Sequence, residues 1–280
     1  MDRPPPLITL TTDFGLADQY VPSVKGVILC VNPRAVIMDV THEVRPQRIE
    51  QAAFLLAVTL PYLPTGAIHI VVVDPGVGTE RRALAIETPQ GFFVGPDNGC
   101  LSAALPDEAR PPADAGLEPR KVSLPSGFRA VEIRERAYMR QPVSNTFHGR
   151  DVFAPAAAHL SLGIPLEKLG PPVGSVLALP PFRARRQADG SLAGRVVHVD
   201  RYGNLITDVR GDDLPAGRVA VEIRGQTVTG PARTYAEGPD LMAVVGGSGY
   251  LGIALRNSSA AALLGADIGE PVLVRPDPSG

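Results

Sequence analysis

The chain has 280 residues, 44% of them apolar and 20% charged, which is enough to bury a proper core and excludes a disordered chain. Lys and Arg total 27 against 29 Asp and Glu, a formal net charge of −2, which argues against a general nucleic-acid binder. Two cysteines without a Cys-x-x-Cys pair fit a reducing compartment, and with no signal-like start and no apolar run near the ~18 residues of a membrane span, the expectation is a soluble, cytoplasmic protein.

The first half alternates two periodicities. Leu7 to Thr12 is a short β-branched run and predicts a strand. Asp18 to Val31 carries Val21, Val24, Ile28 and Val31 at helical spacing, with Pro22 in the first turn, where proline is tolerated. Ala35 to Val40 predicts a second strand, and Ile49, Ala53, Leu56, Ala57 and Leu60 a second amphipathic helix. Ala67 to Val73 is almost continuously apolar, as in a strand covered on both faces. Ala83 to Glu87 and Gly91 to Val94 read as strands around a turn, and Gly149 to Leu162 as one helix with Val152, Ala156 and Leu160 along a face. This is the pattern of an α/β domain with a mostly parallel sheet.

Near residue 180 the texture changes. The stretch 182–191 is polar, basic and flanked by Gly and Pro, as in a linker between domains at 1–181 and 192–280. After it, Arg195 to Asp200, Leu205 to Val209, Arg218 to Ile223, Leu241 to Val245 and Tyr250 to Leu255 are short strand-like runs between glycine turns. They predict a small antiparallel β-barrel or sandwich.

Two predicted strands run into acidic turns, at Asp13-Phe14-Gly15 and at Asp74-Pro75-Gly76-Val77-Gly78. Ligand crevices of open α/β sheets lie beyond the carboxyl ends of strands, so the pair points to one site, although either aspartate alone is equally an ordinary turn residue. His148 precedes a predicted helix, where the helix dipole favours a neutral ring and where packing or capping histidines are also common. Gly247 to Gly252 matches G-x-G-x-x-G but leads into a strand, so a dinucleotide site is rejected. The five histidines do not cluster at ligand spacing, so no metal site is indicated.

Ordered motifs from about residue 7 to 275 resemble the S-adenosyl-L-methionine hydroxide adenosyltransferases, the adenosine-forming hydrolases related to the fluorinase and chlorinase. They are Thr11-Thr12-Asp13-Phe14-Gly15, Asp74-Pro75-Gly76-Val77-Gly78-Thr79 with Arg81-Arg82, Gly95-Pro96-Asp97-Asn98-Gly99, Thr146-Phe147-His148-Gly149-Arg150-Asp151, Asp200-Arg201-Tyr202-Gly203-Asn204 and Ser248-Gly249-Tyr250-Leu251. The resemblance implies an N-terminal α/β domain, a smaller C-terminal β-barrel, and a homotrimer with substrate between the N-domain of one subunit and the C-domain of the next. It implies that Asp74, Arg81 and His148 act on water, which attacks the ribose 5′ carbon to release adenosine and L-methionine, with no cofactor. It leaves open which group takes the proton. It also implies that Asp13 meets the ribose hydroxyls, Asp200 the substrate ammonium and Asn204 the adenine edge. Phe147 and Tyr202 would line the base or the methionine tail, and Ser248 would lie in the loop that receives the amino-acid end. Two rivals are a halide-using synthase, disfavoured by Asp74 and His148, and a non-catalytic adenosine- or S-adenosyl-L-methionine-binding module, which has no need of that trio.

Overall fold

The computed structural model describes residues 5–113 and 115–277. They fall into two compact units that divide between Pro180 and Pro181. The first unit carries strands β1 Leu7–Thr12, β2 Val36–Thr41, β3 Ala67–Val72, β4 Ala83–Thr88, β5 Gly91–Pro96, β6 Arg120–Ser123, β7 Arg129–Glu132 and β8 Ser175–Ala178, with helices α1 Tyr20–Val31, α2 Ile49–Thr59 and α3 Ala154–Ser161.

Six strands make one sheet in the order β2-β1-β3-β5-β4-β7. The pairs β1/β2, β1/β3 and β3/β5 are parallel, and β4 is antiparallel to both β5 and β7. Every residue of β3 is buried, for the reason its apolar run suggests. Alternate side chains face opposite sides of a sheet. Ile68, Ile70 and Val72 pack with Val24 and Ile28 of α1 and Ala157 and Leu160 of α3. Val71, and Val73 just beyond the strand, pack on the other face with Ala52 and Leu56 of α2. Each such aliphatic side chain, fully buried, contributes about 1.5–3 kcal/mol, so both faces are needed to hold the strand in the middle layer.

This topology fixes the site. β1, β3 and β5 are parallel neighbours, so their carboxyl ends share one edge of the sheet. Thr12 pairs in register with Val72, which sets the turns that follow β1 and β3 side by side.

The predicted helix 149–162 is not uniform. Gly149–Phe153 form a π-helical turn, in which the Ala154 N–H bonds the Gly149 carbonyl, and regular α3 begins only at Ala154. Apolar spacing reports which face is buried and not which carbonyl each N–H chooses, so the switch was invisible in the sequence. Such turns concentrate at functional sites.

The second unit contains β9 Arg185–Arg186, β10 Leu192–Val199, β11 Leu205–Arg210, β12 Val219–Ile223, β13 Gln226–Gly230, β14 Leu241–Val245, β15 Tyr250–Leu255 and β16 Pro271–Pro276, with a short helix α4 Ala260–Leu264. Its sheet runs β13-β12-β16-β10-β11-β15-β14, with β9 paired to β10. The pairs along this order are antiparallel. The two ends of the order approach each other. Ala232, just past β13, donates its N–H to the Ala243 carbonyl of β14 at 2.8 Å, and Gly230 lies so close to Ala243 that a β-carbon would strike its backbone. The sheet is thus a nearly closed barrel around Leu192, Val196, Leu205, Val221, Leu251 and Val274. Within the stretch 182–191, Arg185 and Arg186 are paired to β10, and Phe182 and Ala184 are buried.

Candidate active site

The first unit joins Asp74 and His148 through Arg81, which contacts both. After β3 the chain turns at once: Val77 N–H bonds the Asp74 carbonyl, and the Thr79 N–H and hydroxyl both bond the Gly76 carbonyl. This folds Arg81 back beside Asp74. Gly78 has φ +78°, and a β-carbon there would run into the Asn145 carbonyl, so glycine lets this turn lie against the segment that leads to His148.

Arg81 is the hub. Its Nε donates to Asp74 Oδ1 at 3.0 Å and Oδ2 at 3.1 Å, and its Nη2 donates to Oδ2 at 2.5 Å. The same Nη2 lies 2.7 Å from His148 Nδ1. The Arg81 side chain is 11% exposed and that of Asp74 6%, so the pair sits in a largely dry setting. The guanidinium also lies over the Phe153 ring, 5.3 Å from its centroid, which fixes its plane.

The Arg81–His148 contact fixes a tautomer. A guanidinium has only donors, so Nδ1 accepts and the ring proton resides on Nε2. The imidazole is therefore neutral here and presents an Nε2–H donor. Burial first, and then the Arg81 charge, hold His148 below its ordinary pKa, against the opposing pull of Asp74 and Asp151.

The loop carrying His148 is organised by Asp151, a residue named in the motif but given no role from the sequence. Its side chain is fully buried. It takes Arg150 Nε at 2.7 Å and Nη2 at 2.8 Å, and accepts the Ser144 N–H at 2.9 Å. Burial works to raise its pKa, but these partners outweigh burial and hold it below the usual carboxylate range.

Asp13 follows β1 on the same edge. Its Oδ2 accepts the Gln47 N–H at 2.9 Å. Burial raises its pKa, the Gln47 N–H opposes that rise, and the charge of Asp74 adds to it. Phe147 stands edge-on to Phe14 at 5.8 Å and to Tyr20 at 5.1 Å between centroids, and Arg150 lies over its ring. Asp13, Asp74, Arg81, Phe147 and His148 thus gather at the carboxyl edge of the sheet.

In the second unit, Asp200 organises the turn between β10 and β11. Its Oδ1 accepts the Tyr202 and Asn204 N–H groups, both at 2.9 Å, and its Oδ2 accepts Asn204 Nδ2 at 2.8 Å. Asp200, Tyr202 and Asn204 line a cavity of about 1010 Å³ together with Tyr235, Arg256 and Ser259. Asn204 is buried while Tyr202 is 80% exposed, so the turn offers a fixed amide beside an open aromatic ring. Ser248 is not among the residues that line this cavity. It lies in the turn before β15, whereas the cavity takes Leu255, the last residue of β15, and residues 256–259 beyond it.

Among the described residues, no group of three or more His, Cys, Asp or Glu could hold a metal ion, and no helix is long and apolar enough to cross a membrane.

A parallel-rich α/β unit with an Asp–Arg–His constellation, followed by a barrel with a polar-aromatic cavity, defines a recognisable class. The chain matches the SAM hydroxide adenosyltransferase N-terminal domain over residues 8–170 and the C-terminal domain of the same family over residues 194–273, and it belongs to that family. It is 38% identical over 277 residues to the (R)-S-adenosyl-L-methionine hydrolase of Salinispora tropica, covering 97% of this chain and 98% of that one. It is 28% identical over 236 residues to a fluorinase of Nocardia brasiliensis, covering 75% and 73%. A solved structure of an uncharacterised conserved protein from Thermotoga maritima superposes with TM-score 0.82 at 31% identity, covering 96% of this chain and all of that one.

Proposed function

We propose that this chain hydrolyses S-adenosyl-L-methionine to adenosine and L-methionine by attack of water on the ribose 5′ carbon. The observation that carries this is the Asp74–Arg81–His148 constellation. The bond from the water oxygen to C5′ forms as the C5′–S bond breaks, and the electron pair stays on sulfur. Methionine leaves a sulfonium as a neutral thioether, so the leaving group needs no acid. The demand falls on the nucleophile, since neutral water is poor.

The tautomer of His148 divides the work. Its Nδ1 is occupied by Arg81 and its Nε2 carries a proton, so it donates to the water oxygen and orients it. Asp74 is the acceptor, and it takes the proton that water loses. Arg81 balances the carboxylate charge and holds both groups at once, so the site is set before substrate arrives. Asp13 accepts from the ribose hydroxyls. In the second unit the Asn204 amide keeps one hydrogen and its Oδ1 beyond its bond to Asp200, enough for a donor–acceptor pair with the adenine edge. Asp200 is given the substrate ammonium, Tyr202 and Phe147 the apolar parts, and Ser248 the amino-acid end.

The test is chromatography of the products from each sulfonium epimer, since the name of the hydrolase relative specifies the R form. Adenosine and methionine are expected, and unchanged ligand would reduce the protein to a binding module. With chloride added, 5′-chloro-adenosine should be strongly suppressed. A halide would sit beside Asp74, and like charges ~4 Å apart repel by about 4 kcal/mol at an effective dielectric near 20, part of which Arg81 offsets. Chlorinated product at a rate matching adenosine would overturn the reading.

The family resemblance extends the proposal to a homotrimer as the active assembly, a closed cyclic form of the kind common among soluble enzymes. Analytical ultracentrifugation at working concentration should give three subunits, and a fully active monomer would refute this.

A further inference from the structure

Beneath the Asp13 turn lies a second polar cluster that none of the roles above uses. Thr12, the last residue of β1, and His42, just past β2, are both almost fully buried. Thr12 Oγ1 lies 2.8 Å from His42 Nδ1. The same hydroxyl accepts the Phe14 N–H at 3.3 Å. The Asp39 carboxylate beside Nε2 favours the ring proton there, which leaves Nδ1 of the neutral ring to accept the Thr12 hydroxyl hydrogen. Nε2 is 3.1 Å from Asp39 Oδ1, off the line of a good hydrogen bond, so the contact is chiefly one of charge with dipole. Asp39 Oδ2 takes Lys25 Nζ at 2.6 Å. Partial burial works to raise the Asp39 pKa, but Lys25 and then His42 outweigh it and hold the carboxyl below its ordinary value.

The main chain repeats the connection. Gly15 N–H bonds the His42 carbonyl at 2.8 Å, and Val44 N–H bonds the Thr12 carbonyl at 3.3 Å. Five residues on, Gln47 supplies the N–H that holds the Asp13 carboxylate. Residues 42–47 are therefore the cradle of the Asp13-Phe14-Gly15 turn. The Phe14 ring also packs on the loop of His148, since a β-carbon at Gly149 would stand 3.1 Å from it. Main-chain bonds alone would close the turn. A buried hydroxyl–imidazole pair adds direction, and it does so at a desolvation cost that an apolar pair of the same shape avoids.

We propose that His42 is a positioning residue: through the Thr12 hydroxyl it sets the direction of the Asp13 carboxylate. This rests on the reading that Asp13 meets the substrate ribose. His42 touches no substrate, and Asp39 and Lys25 keep its ring turned.

The experiment is steady-state kinetics with S-adenosyl-L-methionine on His42→Ala, Thr12→Val, the double variant, His42→Asn and Asp13→Asn, with Tm recorded for each. Thr12→Val removes only the hydroxyl and keeps the shape, so it serves if His42→Ala does not fold. Each single variant should raise KM about tenfold with a much smaller change in kcat, and the double variant should be no worse than either, as coupled neighbours require. His42→Asn, whose Oδ1 stands near the place of Nδ1, should restore most of the loss. Lower Tm with unchanged KM, or additive effects in the double variant, would overturn the proposal and leave His42 a packing residue. Asp13→Asn separates the two readings. If it leaves KM unchanged, the ribose assignment fails and the purpose given to His42 goes with it. If it raises KM while His42→Ala and Thr12→Val do not, only the positioning role fails.

Discussion

Replacing Asp74 by Asn should lower kcat on the order of 10²-fold or more and leave KM for S-adenosyl-L-methionine little changed. The substitution keeps the volume and one acceptor oxygen, so Arg81 Nε or Nη2 still finds a partner. What it removes is the charge proposed to receive the proton. Because that charge matters while water is being deprotonated, the loss belongs to the transition state and not to the bound substrate. A stability cost comes with it. The Arg81 side chain is 11% exposed, and without the carboxylate its charge is largely buried and unbalanced. Tm should therefore fall as well, and kinetics must be measured well below it. Isothermal calorimetry with unreacted substrate checks the division of roles. If Asp74→Asn abolished binding while bound substrate still turned over, Asp74 would be a ligand-holding residue and not the base.

The architecture of the first unit was legible where one physical signal dominated. The almost continuous apolar run at 67–73 reads as a strand covered on both faces, and the structure buries every residue of β3. Asp13 and Asp74 were legible as a pair because parallel strands put their carboxyl ends on one edge. Other features leave no such trace. β6 and β8 are four residues each and pair across more than fifty positions of chain, so no local period announces them. β13 follows a two-residue turn in which Arg224 and Gly225 both have positive φ. That turn geometry suits a hairpin, but Arg is not among the residues that advertise it. The contact of Arg81 with both Asp74 and His148 joins residues 67 positions apart, and only family resemblance grouped them beforehand. The Thr12–His42 pair carried no signal at all: each residue looks like an ordinary strand-end polar residue until the parallel pairing of β1 with β2 sets them together.

Two substitutions of Arg81 should separate its charge from its shape. Lysine keeps the charge but presents a point donor, whereas the guanidinium presents a planar fork that spans both Asp74 oxygens and still reaches His148. Arg81→Lys should therefore lose about 10²-fold in kcat while a nearby cation persists. Arg81→Met removes the cation and should lose at least as much, but it should also change the titration of His148. In the native site burial and the Arg81 charge both lower that pKa, and Asp74 and Asp151 oppose them. Without Arg81 only burial opposes the carboxylates, so the pKa rises from its native value. The sign follows for pH dependence. A histidine held neutral by the fold contributes stability above its unfolded pKa, ~6.5, and that contribution is lost as pH falls through the lower folded value. Activity should fall on the same acid side, because a protonated imidazole cannot accept from Arg81. Proton NMR of the His148 ring should show a midpoint below 6.5 in the native protein, little moved in Arg81→Lys and shifted upward in Arg81→Met. An unshifted midpoint in Arg81→Met would mean that burial alone sets the neutral form. Full activity in Arg81→Lys would mean that the fork joining Asp74 to His148 is not what prepares the water.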